Sequence, residues 1–179
     1  MSWPPIRTLL ALGGLAWAAV SLAGCAFQQG EISALGDDEQ IELGSSENRG
    51  AWPFWPTAIR ILPLTRLART DGAIDPVTAP TIEIRVEAMD STGEPTRAVG
   101  IFVVSVDAEG AVPATQRWKI DVRTAETHSQ RFDTVTDTYR FDLTPTWTTP
   151  PARGTKVNLK VVLFGTDGAT PAASATVTW

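Results

Sequence analysis

Cysteine and histidine each occur once in the 179 residues, as Cys25 and His128, and their scarcity removes whole classes of chemistry. A single thiol makes no internal disulfide, so stability is expected from apolar burial alone. One imidazole cannot build a centre of several histidines, and His128 sits in the polar stretch Ala125 to Gln130, which reads as a loop. There is no Gly-x-Ser-x-Gly elbow, Walker loop, dinucleotide glycine fingerprint or His-Glu-x-x-His pair. Acids are plentiful in the turn-rich pieces, but no pattern sets a cleft around them and they read as solvated charge. The chain is therefore expected to be no enzyme and to need no dissociable cofactor. Positive charge is also short: 15 Lys and Arg face 20 Asp and Glu, a net charge of −5. That balance argues against nucleic acid and against electrostatic adhesion to anionic lipid. Finally, no stretch of ten residues after the N-terminal apolar run carries helical periodicity.

What is present begins with an export signal: one base (Arg7), an apolar run from Thr8 to Leu22, then small residues. The run is about 15 residues, short of the roughly 20 that span a bilayer as a helix, and no basic block follows it. The tetrapeptide Leu22-Ala23-Gly24-Cys25 resembles the lipobox of bacterial lipoproteins. That resemblance covers only the first 25 residues and implies removal of residues 1–24. It also implies a diacylglycerol thioether on Cys25 and, in many species, an acyl chain on its freed amine. Each buried methylene contributes about 0.8 kcal/mol, so one chain holds a protein marginally while two or three hold it stably. Ala26 follows, and in similar Gram-negative lipoproteins a non-acidic residue there goes with the outer membrane. The expected location is thus the cell envelope. An ordinary secretory signal with an incidental cysteine is the competing reading.

Removing 24 residues leaves 155, one domain plus a tether, and takes away Arg7 but no acid, so the net charge becomes −6. Residues 25–50 read as the lipidated end and a flexible acidic linker, with six acids against Arg49 and few apolar residues. Such a coil spans roughly 25 to 30 Å root-mean-square. Its Ile32, Leu35, Ile41 and Leu43 fit a helical stripe only in part, leaving a short helix on binding as the alternative.

From residue 51 the chain reads as β-structure. Ile82, Ile84, Val86 and Ala88 alternate with charged residues, as do Trp118, Ile120 and Val122, and Tyr139, Phe141 and Leu143. Val157, Leu159, Val161 and Leu163 share a face, as do Ala175, Val177 and Trp179. Val99 to Val106 is apolar on both faces and suits a central strand covered twice. A strand within Ala58 to Leu67 is confined by Pro63 to an edge or a bulge. Seven such strands over residues 51–179 predict an all-β fold, an antiparallel β-sandwich of immunoglobulin or fibronectin type III character, with a small closed barrel as the alternative. The joining stretch Asp90 to Pro95 also resembles the hairpin of carboxypeptidase-regulatory-like or transthyretin-like modules.

Two candidate sites emerge. Trp52, Phe54 and Trp55, held by Pro53 and Pro56, form either a cap on the sandwich or a stacking platform for cell-wall glycan. Asp90, Glu94, Asp133, Asp137 and Asp167 would share one pole if strands run up and down, and a calcium ion would relieve their repulsion. The expected partners are the membrane through the lipid, and another envelope protein or cell-wall component. The leading expectation is a non-catalytic interaction or structural module.

Overall fold

The computed structural model describes residues 32–36, 54–63, 65–68 and 81–179. Cys25, Trp52, the export signal and most of the acidic linker lie outside them. In chain order the elements are β1 (Ser33–Ala34), β2 (Ala58–Ile61), β3 (Arg66–Ala68), β4 (Thr81–Met89), β5 (Pro95–Thr96), β6 (Gly100–Ala108), β7 (Thr115–Asp121), α1 (Ala125–Arg131), β8 (Phe132–Asp133), β9 (Thr138–Leu143), β10 (Lys156–Gly165) and β11 (Ala172–Thr178).

The strands form two antiparallel sheets. One has the order β2-β4-β9-β8, with β3 and β5 also on β4; the other has the order β1-β7-β6-β10-β11. The sheets pack face to face without closing into a barrel: β11 comes near β2, but the two do not pair. The seven longer elements match the seven expected strands. In a constant-type immunoglobulin domain the fourth strand joins the first sheet. Here the fourth long strand, β7, instead makes a hairpin with β6.

Alternation decides which residues face inward. Ile82, Ile84 and Val86 of β4, Phe102, Val104 and Val106 of β6, Tyr139, Phe141 and Leu143 of β9, and Val157, Leu159, Val161 and Leu163 of β10 are all at most 1% exposed. At the centre, the Phe102 ring lies 5.0 Å from Tyr139 and 5.1 Å from Phe141. Each such side chain contributes about 1.5 to 3 kcal/mol by burial, and an aromatic pair adds roughly 0.5 to 1.5.

Pro63 acts as its chemistry requires. Ile61 pairs with Val86 and Arg66 with Glu83, so the edge strand bulges between β2 and β3. Thr65 fills part of the gap, its hydroxyl accepting from the Arg85 N–H at 3.2 Å.

Two expectations need correction. Residues 32–36, read as flexible linker or helix, are neither: Ser33 and Ala34 pair with Lys119 and Trp118 on the edge of β7. Leu35 is buried against Ile101 and Val103, with Phe164 beside them. The reason is β6 itself, whose second apolar face needs a cover. Pairing with an existing edge lets five residues offset their ordering entropy. The second correction is at His128, which lies on α1 and not in a loop. Thr124 caps that helix, its hydroxyl accepting from the Thr127 N–H. Two turns are too short to display apolar periodicity in sequence.

Candidate functional site

The loop acids do share one end of the sandwich. Asp90 and Glu94 follow the end of β4, Asp133 and Asp137 precede the body of β9, and Asp167 follows β10, whose last residue pairs with the first of β6. Among the described residues no three of His, Cys, Asp and Glu come together to hold a metal ion. Each loop spends its acid on itself or on a neighbouring base. Asp90 Oδ1 accepts from the Thr92 hydroxyl (2.7 Å) and from the backbone N–H groups of Thr92 (2.8 Å) and Glu94 (3.2 Å), and the Thr92 hydroxyl leads in holding its pKa low. This is a side-chain-built turn, completed by Gly93 at φ 86°. Asp167 likewise accepts from the Ala169 N–H, 3.1 Å away.

Asp133 is drawn into a charge ladder across the outer face of the first sheet. Arg85 meets Asp133 at 2.9 Å and Glu83 at 3.1 Å, Arg140 meets Asp142 at 3.1 Å, and Arg60 pairs with Glu87. The Arg85 guanidinium lowers the Asp133 carboxyl to about 2. Three guanidinium groups stand among four carboxylates on this face.

The aromatic stretch is split by the fold. Trp52 is outside the described residues, Trp55 is half-buried, Pro56 is buried and Phe54 is 51% exposed. The Phe54 carbonyl accepts from the Thr96 hydroxyl at 2.8 Å and the Thr57 N–H donates to the Met89 carbonyl at 2.9 Å, so the stretch is laced to the end of β4 and β5. Of the described pair, one ring is half-buried and one is exposed. Trp147 and Trp179 pack edge to face at 4.7 Å beside the core.

His128 has a structural partner that its sequence context did not announce. Its Nε2 lies 2.8 Å from the Tyr139 hydroxyl, which accepts from the Ala98 N–H at 2.7 Å and has the Ala98 carbonyl at 3.2 Å. This hydroxyl ties β9, α1 and the approach to β6 together. The Arg97 guanidinium sits 5.1 Å over the Phe132 ring, which in turn lies 5.1 Å from the imidazole. Tyr139→Phe leaves the buried Ala98 N–H without its partner, and the expected loss is about 1 to 3 kcal/mol, read by denaturant titration.

Burial first, and then the nearby Arg97 charge, hold the His128 pKa below its ordinary value. The unfolded chain therefore takes up this proton before the folded one does. The stabilising contribution is full above about pH 6.5 and is lost as pH falls below it, through the lowered folded pKa. Thermal melts across this range should show a melting temperature that declines on acidification, with a smaller decline in His128→Gln. Equal slopes in the two proteins would refute the assignment.

The remaining distinctive feature is the outer edge of β11. The Leu163 N–H donates to the Pro171 carbonyl and the Trp179 N–H to the Thr155 carbonyl, which places the residues 171, 173, 175, 177 and 179 in hydrogen-bonded pairs with β10. The intervening Ala172, Ser174, Thr176 and Thr178 therefore turn their N–H and C=O groups away from the sheet. No backbone partner meets those groups among the described residues. The strand reads AASATVT, with no charge, proline or bulge inside it. These are the devices that ordinarily blunt an edge. Ser174 and Thr176 also line a shallow depression of about 460 Å³ on the outer face, with Ser105, Asp107, Asn158 and Lys160. In sequence this strand showed only its inward alternation; the missing gatekeepers were legible, but its position at an edge was not.

Fold and surface together define an all-β sandwich in which the outward backbone groups of β11 have no backbone partner among the described residues. No protein-family model, curated protein or solved structure matches the chain. Among the described residues no helix is long and apolar enough to cross a membrane.

Proposed function

We propose that this chain is a lipid-anchored, non-catalytic lipoprotein of the cell envelope, in the outer membrane if the cell is Gram-negative, whose sandwich binds another protein by accepting a strand on β11. The observation that carries the interaction half is the outer edge of β11, an uncharged seven-residue strand whose outward backbone groups have no backbone partner among the described residues. Strand addition uses such an edge directly: main-chain hydrogen bonds supply affinity and the alternate side chains supply selectivity. The anchor half rests on Leu22-Ala23-Gly24-Cys25 and on the apolar run before it. The tether between anchor and sandwich holds the edge within reach of a partner in the same membrane.

Cys25→Ser tests the anchor: the protein is expected to leave the detergent phase or to remain unprocessed. A fully processed, detergent-phase mutant would defeat the lipoprotein reading. Thr176→Pro tests the edge, because it deletes an outward N–H that β10 does not use. Partner capture from detergent extracts should be lost while the far-ultraviolet circular dichroism keeps its sheet signal; undiminished capture would remove β11 from the reading.

A further inference from the structure

We propose that β1 is a strap that holds the sandwich close to its lipid anchor and turns the corner where β7 runs into α1 toward the membrane. The proposal rests on the lipid-anchor reading and is independent of β11. Its first support is the way residues 32–36 are seated. Ser33 and Ala34 pair with Lys119 and Trp118, and the Leu35 N–H donates to the Arg117 carbonyl at 2.9 Å. The apolar residues on either side of this pairing are three positions apart, so an extended strand sends them to opposite faces of the sheet. Ile32 packs against the main core between the sheets, while Leu35 is buried against Ile101 and Val103 on the outer face. The segment thus grips the edge of β7 from both sides, and its backbone bonds fix the register between the two grips.

That grip shortens the free chain between lipid and fold. Cys25 and Ile32 are 32 − 25 = 7 steps apart. Seven steps reach at most about 25 Å when fully extended, and roughly 13 to 16 Å root-mean-square as a coil. Without β1, the next described bond to the fold is at Phe54, whose carbonyl accepts from the Thr96 hydroxyl. A coil of 54 − 25 = 29 steps spans roughly 27 to 32 Å, so the strap halves the reach of the leash. It also sets a direction. Because β1 is antiparallel to β7, its register continues with Ile32 beside Ile120, one residue before β7 ends at Asp121 and the chain turns toward α1. The diagonally opposite corner is the turn at residues 152–155, where the Gly154 N–H donates to the Trp179 carbonyl. It lies four strands across the sheet, about 19 Å, and the length of the ten-residue β10 away, about 30 Å. A leash of about 15 Å is shorter than either distance, so the α1 corner stands nearer the lipid and the Trp179 corner stands away from it.

The test uses the lipidated full chain in phosphatidylcholine vesicles that carry a rhodamine-headgroup lipid as energy acceptor. A donor fluorophore is attached at Glu126→Cys on α1 or at Ala152→Cys in the far turn, both exposed positions, with the thiol of Cys25 taken up by its lipid. Given the roughly 30 Å between the two sites along the strands, the label at position 126 is expected to be quenched at least about twofold more strongly than the label at 152. Leu35→Asp puts a charge against Ile101 and Val103; it is expected to bring the two labels close to parity and to open the amide at position 35 to hydrogen exchange. A second variant leaves β1 untouched in case that substitution disturbs folding. Ten Gly and Ser residues inserted between Gln29 and Gly30 lengthen the leash, and are expected to reduce the contrast while the Leu35 amide stays protected. Equal quenching of the two labels in the membrane-bound parent, a contrast that survives both variants, or a Leu35 amide that exchanges freely in the parent overturns the strap and leaves the anchor standing. A chain that stays out of the vesicles overturns the anchor, and the orientation falls with it.

Discussion

Phe102→Ala is expected to cost about 3 to 5 kcal/mol, a large part of the 5 to 15 that holds a domain of this size together. Phe102 is fully buried on β6, at the centre of its sheet, and its ring touches Tyr139 and Phe141 from the facing sheet. Truncation removes the transfer free energy of a phenyl ring and leaves a cavity between two sheets. Strands with neighbours on both sides cannot collapse readily to fill it. The expected drop in melting temperature is roughly 10 to 20 °C. Phe54→Ala is the matched control: it removes the same ring from a half-exposed site and should change stability by no more than about 0.5 kcal/mol. Denaturant midpoints of the two variants decide the matter, and similar losses would show that the aromatic cluster is not the centre of the core.

Gly100→Ala is expected to destabilise by roughly 3 kcal/mol, the upper end of overpacking costs, although it adds one methyl group. A Cβ on Gly100 would lie 2.2 Å from the Phe164 carbonyl oxygen, 3.0 Å from the carbon of that carbonyl and 3.1 Å from Gly165 Cα. All three atoms are backbone, so no side chain can swing aside. Gly100 pairs with Gly165, and β10 would have to move away from β6 at the centre of the second sheet. Replacing glycine by alanine also reduces the freedom of the unfolded chain, which favours folding by only about 0.4 to 1 kcal/mol. The clash is the larger effect. Hydrogen exchange should speed up most at the end of β10 and in Thr166, whose N–H donates to the Val99 carbonyl at 3.2 Å. A variant with unchanged midpoint and unchanged exchange would show that the two strands have room to spare.

In β4, β7, β9 and β10 one parity is apolar and the structure buries it, because a pleated strand sends successive side chains to opposite faces; in β6 both parities are apolar and both are covered. Pro63 announced an interrupted edge strand for an equally local reason, its missing N–H. The Asp90 to Pro95 turn was legible too, since an aspartate and a glycine at that spacing build the reversal from their own atoms.

What local chemistry cannot carry is the identity of neighbours. Leu35 looked like a stray apolar residue in an acidic linker; it became core only because Ile101 and Val103, more than sixty positions away, lacked a cover. His128 read as a loop residue, since its partner Tyr139 and the Ala98 backbone meet it only once β9 and the approach to β6 are in place. The loop acids lie toward one end of the sandwich, where Asp90 and Asp167 accept from the backbone of their own turns and Asp133 pairs with Arg85 from β4, a partner that only the paired strands bring to it. The sequence alone determined the sandwich, its inward faces and the N-terminal resemblance to a lipoprotein. Only the tertiary structure decided that β1 pairs on one edge of the second sheet while β11 ends the other, close to β2 but not paired with it, because no run of residues encodes which distant strand comes beside it.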